Sequence, residues 1–205
     1  AEVTPEDLRW VCTKIKDRGA PATAVHVRDI IKQIYSFAIL HGEKIDNPAD
    51  KVGPSSIATF VPKDRSLAPA EIRTLFAQLE HVPTLPTIRL GLRLLLLTMV
   101  RKGELQDATW DEIDFENAVW SIRKERMKGG KPHNVYLSRQ ALDIMVALKT
   151  CAGNSQFLLP SRYDAAAPMS RATFNRITYL VVDRAKKEGQ PLEPFTVHDL
   201  RRTGS

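Results

Sequence analysis

The 205-residue sequence predicts a mainly α protein with a small antiparallel β-sheet, built as a small helical unit followed by a larger α+β unit. Three observations lead there. Two amphipathic helical patterns occupy the first forty residues. Two short β-branched and aromatic runs, "AVWSI" and "HNVYLS", flank a glycine-containing turn. Between the helical start and the rest, "VGPSSIATFVPKDRS" lacks apolar periodicity and is rich in proline and serine, which is linker chemistry. These give residues 1–51 as a helical domain, 52–66 as a linker and 67–205 as the second domain.

The elements follow in order. Thr4, Pro5 and Asp7 form a helix start, and Leu8, Val11 and Ile15 continue as a stripe that stops at Gly19. A second helix runs from Pro21 through Val27, Ile30, Ile31, Ile34 and Phe37 to Gly42, and "DNPAD" turns the chain after it. Past the linker, Pro69 opens a helix with Glu71 at its third position, although Ala68 stands where a capping Ser or Thr is expected. Pro86 to Met99 is apolar enough to be a buried helix, and "RKGELQDATWDEIDF" reads as a short helix and turn. The two strands follow around "MKGGKP", whose glycines suit the positive backbone angles of a tight turn. Helices are expected at Arg139–Lys149, Arg171–Lys187 and after Thr196.

Composition narrows the function classes. The chain is 43% hydrophobic and 26% charged, which places it among globular proteins rather than disordered or collagen-like ones. Its longest apolar run, "LGLRLLLLTMV", contains Arg93 and is too short to cross a bilayer, so no membrane association is expected. Net charge is +6, and residues 66–205 carry most of the excess, with a net of +5 against +1 for residues 1–65. The stretch "SIRKERMKGGKPHNVYLSR" holds six basic residues and one acidic one. That bias favours an acidic partner such as nucleic acid, while a solvated hairpin accounts for the cluster equally well. Cys12 and Cys151 lie far apart and the five histidines are scattered, so no metal site is expected. With no secretory signal pattern either, the chain reads as a protein of a reducing compartment.

Candidate chemistry collects around a few basic residues. Arg101 follows the apolar run, with Glu104 three positions on; the pair also suits a plain salt bridge at a helix end. Lys128 and Lys131 flank the hairpin turn, and His198, Arg201 and Arg202 share one face of the last helix. Cleaving a phosphodiester without a metal needs donors on the non-bridging oxygens, where charge accumulates, and the planar guanidinium fork suits them. It also needs a proton for the leaving sugar hydroxyl, which a lysine on a hairpin can deliver.

In this order, "TMVRKGEL", "MKGGKPHNVYLS" and "HDLRRT" resemble the catalytic domain of the tyrosine recombinase, or phage integrase, family. The helical start, including "RGAPATAVHVRDIIKQIYSFAILHGEKIDNPAD", resembles that family's core-binding domain, and integrases of temperate phages and genomic islands are the nearest likeness. The resemblance implies a site-specific recombinase that integrates or excises a mobile element through a covalent phosphotyrosyl-DNA intermediate, with no cofactor. It makes Arg101 and Arg201 the clamp arginines, His198 their neighbour, Glu104 a supporting acid and Lys128 the general acid, with Lys131 as the alternative. Met99 departs from the glycine many members carry before this arginine. Phosphate contacts are expected from Lys14, Lys16, Arg28, Lys32, Arg65 and the hairpin with Lys131, and base contacts from Arg171 and Arg176. Partners implied are double-stranded attachment-site DNA, a homotetramer on synapsed duplexes and DNA-bending accessory proteins, in the cytoplasm of a bacterium or phage host.

Family members continue past this last motif to a second histidine or tryptophan and then the tyrosine nucleophile. Tyr35, Tyr136, Tyr163 and Tyr179 all precede His198 and read as core or strand aromatics, so no nucleophile is assigned within the chain. These residues are therefore expected to bind DNA without cleaving it, as a recombinase truncated before its tyrosine. The alternative is a non-catalytic DNA-binding or regulatory module with the same fold. A globular protein of unrelated function, whose arginines are structural, predicts only weak, salt-insensitive DNA binding. Type IB topoisomerases share the chemistry, but the short helical start favours a recombinase.

Overall fold

The computed structural model describes residues 3–60, 64–127 and 129–204. The chain divides into two compact units, Ala1–Lys63 and Asp64–Ser205, each with its own core.

In the first unit, α1 (Pro5–Asp17) starts on a reciprocal cap. The Thr4 hydroxyl accepts from the Asp7 N–H at 3.2 Å, and the Asp7 carboxylate accepts from the Thr4 N–H at 2.9 Å. Glu6 and Asp7 in its first turn and Lys14 and Lys16 in its last complement the helix dipole. Gly19, at φ 87°, reverses the chain into α2 (Pro21–Leu40). Leu8 and Cys12 of α1 meet Ala24 of α2, and a 3-10 turn (Pro48–Lys51) and α3 (Pro54–Ile57) add Ala49, Val52 and Ile57. Val52 and Ile57 thus belong to a packed core, although the stretch containing them has the composition of a linker.

The face that α2 buries differs from the predicted one. Ile30, Ile34 and Phe37 are 41%, 58% and 63% exposed, while the buried α2 residues are Ala24 and Arg28. Ala24 is small enough to let α1 approach closely, and the adjoining Arg28 bonds backbone carbonyls of the following segment. Partner shape therefore outweighs the hydrophobicity of the stripe.

In the second unit, α4 (Pro69–His81) and α5 (Pro86–Thr98) lead into α6 (Lys102–Gln106). A 3-10 turn at Trp110–Glu112 precedes β1 (Ile113–Asp114) and β2 (Val119–Ile122); β3 (His133–Tyr136), α7 (Arg139–Ala152), α8 (Thr173–Lys187) and α9 (Val197–Thr203) complete the order. The core gathers Leu75 and Leu79 of α4, Leu92, Leu94 and Leu95 of α5, Trp120 and Ile122 of β2, Met145 and Leu148 of α7 and Phe174 and Val181 of α8. The unconventional Ala68 cap is half repaired, because Glu71 Oε2 accepts from the Ala68 N–H at 3.0 Å.

The sheet is antiparallel in the order β1-β2-β3, with Ile113 opposite Trp120, Trp120 opposite Val135 and Ile122 opposite His133. β1 is an addition to the predicted pair: at two residues it is too short to display alternation. The β2–β3 connection, residues 123–132, is also longer than the tight turn expected. It begins with a 3-10 turn at Lys124–Arg126, and Gly130 (φ 63°) supplies the left-handed position.

Gly91 sets the spacing between α5 and α8. A Cβ there would lie 2.8 Å from Cζ of the fully buried Phe174 and 3.2 Å from Leu159 Cδ1. Gly91→Ala is expected to destabilise the second unit by about 1–3 kcal/mol despite the better helix propensity of alanine, read as a lower urea midpoint.

Candidate functional site

The site begins at the turn between α5 and α6. Met99 closes α5 in the left-handed region (φ 55°, ψ 21°), donating its N–H to Leu95 O. A β-carbon is disfavoured in that conformation, which gives a physical reason for glycine to suit this position. Here the turn keeps the left-handed geometry with methionine, whose Sδ lies 2.6 Å from where a Cβ on Gly204 would stand.

Arg101 then occupies the N-cap of α6. Glu104, 5% exposed, fixes it twice: Oε2 accepts from the Arg101 N–H and Oε1 from Nη1, both at 2.7 Å. The arginine side chain remains 44% exposed. Glu104 therefore holds Arg101 in place and leaves much of its fork facing outward.

The second arginine arrives on α9. Asp199 accepts from the Thr196 N–H at 2.7 Å and its hydroxyl at 2.8 Å, which starts the helix, while Val197 and Leu200 bury its inner face. Burial pushes the Asp199 carboxyl up, but the Thr196 bonds and Arg202 outweigh it and hold it below its usual range. Arg202 Nη1 lies 3.1 Å from Asp199 Oδ1. Arg201 Nη1 donates to Met99 O at 2.5 Å, two residues before Arg101. That contact brings α9 onto the turn carrying the first arginine. His198 is exposed one turn earlier on α9.

Lys128 lies outside the described residues, and Lys131 is exposed in the β2–β3 connection. The base of that connection is anchored by a network that sequence reasoning missed. Glu112, its side chain 1% exposed, accepts from Trp120 Nε1 at 3.0 Å and from Arg126, which also donates to Glu104 O. A carboxylate directly before a two-residue strand looks like a surface acid; only the fold places it inside.

The other predicted DNA contacts separate into distinct groups. Lys14 and Lys16 are exposed, with Lys14 Nζ 5.7 Å from the Trp10 ring centre, and Lys32 pairs with Asp50 at 3.2 Å. Arg28 is a correction. It is 7% exposed and donates Nε to Val52 O and Nη2 to Ala49 O, both at 2.7 Å, so its donors satisfy core carbonyls rather than a phosphate. Arg65 is engaged by Glu71 at 2.5 Å and by several carbonyls. Arg171, just before α8, pairs with Asp107, and its carbonyl accepts from Lys102 Nζ at 3.1 Å. Exposed Arg176 lines a groove with Arg162, Tyr163 and Thr173. Lys102 was not singled out in the sequence, and its tie from α6 to α8 depends on tertiary contact.

Tyr136, Tyr163 and Tyr179 are 82%, 82% and 70% exposed, so Tyr163 and Tyr179 are not the core aromatics expected. Tyr163 instead stacks with Arg162, whose guanidinium carbon is 4.4 Å from the ring centre. Among the described residues no cluster of three or more His, Cys, Asp or Glu side chains is arranged to hold a metal ion. None of their helices is long and apolar enough to cross a membrane.

The chain thus pairs a helical unit with an α+β unit in which Arg201 bonds to the turn that leads into Arg101. The model of the Phage integrase family matches residues 65–205 and that of the Phage integrase central domain residues 1–54, and the chain belongs to the phage integrase family. Prophage integrase IntZ of Escherichia coli (strain K12) is 31% identical over 162 residues, covering 79% of this chain and 40% of that protein. The Integrase of Enterobacteria phage P4 is 29% identical over 174 residues, with the same shares. The chain thus spans about two fifths of the length of these relatives. In fold it matches the Tn1549 transposon Integrase in complex with circular intermediate DNA, at TM-score 0.75 and 18% identity, covering 99% of this chain and 71% of that one. It likewise matches a lambda integrase tetramer bound to a Holliday junction, at TM-score 0.74 and 20% identity, covering 99% of this chain and 59% of that one.

Proposed function

We propose that these residues form the core-binding part (the first unit, residues 1–63) and the catalytic part (the second unit, residues 64–205) of a site-specific DNA recombinase that integrates or excises a mobile element. The observation that carries this reading is the bond from Arg201 to Met99 O, which sets two guanidinium-bearing elements side by side at one turn. In the reaction, Arg101 and Arg201 stabilise charge on the non-bridging oxygens, and His198 donates beside them. A tyrosine hydroxyl releases its proton to solvent and its oxygen bonds to phosphorus as the bond to the leaving sugar oxygen breaks, and Lys128, or Lys131, gives that leaving oxygen its proton. Attack by the exchanged strand's hydroxyl reverses the step, so the bond energy is retained.

None of Tyr35, Tyr136, Tyr163 and Tyr179 is assigned as the nucleophile. On this reading these 205 residues do not supply the attacking tyrosine. Alone they hold duplex DNA without cutting it, and in the complete enzyme four copies assemble on two duplexes with DNA-bending helpers.

The test is duplex binding by this chain across a salt series, together with a nicked duplex that traps covalent adducts. Arg101→Ala and Arg201→Ala should each weaken binding and flatten the slope of log K against log salt by about 0.9, the value for one phosphate contact. No adduct should form. Salt-insensitive binding unaffected by either substitution overturns the clamp, and an adduct abolished by a Tyr→Phe change among the four overturns the assignment of the nucleophile.

A further inference from the structure

Arg65 stands at the entrance of the second unit, where sequence reasoning makes it a phosphate contact. Its fork is used otherwise. Nη2 donates to Glu71 Oε1 at 2.5 Å and Nη1 to Oε2 at 3.0 Å, a bidentate pair. The same guanidinium reaches the carbonyls of Ser66 at 2.9 Å, Glu193 at 3.1 Å and Pro194 at 3.4 Å. Glu71 also accepts from the Glu193 N–H at 3.3 Å. Two positions along, the Leu67 N–H donates to the Thr203 hydroxyl at 2.9 Å, which itself donates to Asp199 O at 2.7 Å.

The first residues of the unit are therefore fastened to both ends of the segment carrying His198 and Arg201. Glu193 and Pro194 lie just before α9, and Thr203 is its last residue. We propose that Arg65 and Glu71 are positioning residues that lock α9, and with it His198 and Arg201, to the chain entering the catalytic unit; this rests on the clamp role assigned above. A displacement of the entering chain is passed directly to half of the phosphate-binding set.

The pair persists over the working pH range. The hydrogen bonds from Arg65 outweigh burial and hold the Glu71 carboxyl at about 2, down from 4.5. A depressed acid contributes stability that is full above its unfolded value, so the tie is complete above about pH 4.5 and is lost as pH falls toward 2.

Arg65→Lys keeps the charge and removes the planar fork, which separates the two roles. Amide exchange and duplex affinity are measured for the 205-residue chain, this variant, Arg201→Ala and their combination. Exchange across residues 193–203 should quicken by about tenfold or more, with the amides of α5 and α7 unchanged. Duplex affinity should fall in Arg65→Lys, and by a smaller factor once Arg201 is already alanine, when only His198 is left to be positioned. Unchanged exchange at 193–203 overturns the proposal, as do affinity losses that multiply, because lysine retains a phosphate contact and such losses mark independent action. If Arg65→Lys unfolds the unit, Glu71→Gln supplies the same comparison. If Arg201→Ala leaves affinity intact, the clamp reading fails, while the exchange measurement still decides whether the tie exists.

Discussion

Replacing Arg126 with alanine is expected to lower the stability of the second unit by about 3–5 kcal/mol, because it leaves the buried Glu112 carboxylate without its cation. Trp120 Nε1 still donates to Glu112 at 3.0 Å, but one neutral donor does not replace a guanidinium. The change also frees the Glu104 carbonyl that Arg126 engages, loosening the base of the β2–β3 connection from α6. Urea unfolding followed by near-ultraviolet circular dichroism, to which the buried Trp120 contributes, measures the loss. A double change to Arg126→Met with Glu112→Gln should recover most of that stability, since it removes both charges and keeps an amide oxygen to accept from Trp120 Nε1. The double variant should still bind DNA less well than the parent if the connection's lysines need that anchored base. A loss below about 1 kcal/mol in Arg126→Ala would mean that the pair behaves as an exposed one.

Arg28→Ala is expected to cost the first unit about 2–5 kcal/mol, since the Val52 and Ala49 carbonyls each lose a charged donor in a buried setting. That unit's core consists of Leu8, Cys12, Ala24, Ala49, Val52 and Ile57, so a loss of this size is a large part of what holds it together. Arg28→Lys should restore little, because a single ammonium cannot reach both carbonyls in the geometry of the fork. Limited proteolysis within α1 and α2, compared with cutting in the second unit, reports the effect. Were Arg28 a phosphate contact instead, both variants would keep their protease resistance, and lysine would restore DNA binding.

Much of the helical architecture was legible because helix signals are local. The Thr4–Asp7 cap, Pro at the openings of α4 and α5, and Gly19 act within a few residues of one another, and the structure uses them in that way. The order Arg101, Glu104, His198, Arg201 was equally readable, since each belongs to a short recognisable run. β1 was not: two residues carry no period, and its existence depends on Val119 and Trp120 pairing with it. Lys14, Arg28, Lys32 and Arg65 look alike in sequence, as basic residues on or near amphipathic segments. Their roles diverge through neighbours distant along the chain: Arg28 meets carbonyls twenty-one and twenty-four residues away, and Arg65 meets carbonyls more than one hundred and twenty away.

The sequence by itself determined the mainly helical class, most helix starts, the hairpin strands and the order of the basic residues along the chain. Tertiary structure alone decided which of those cations remain outward, which face α2 buries, and how α9 comes to lie on the turn before Arg101. The physical reason is that propensity and periodicity act over one or two turns of chain, whereas the fate of a guanidinium depends on which carbonyls and carboxylates folding brings within hydrogen-bond reach.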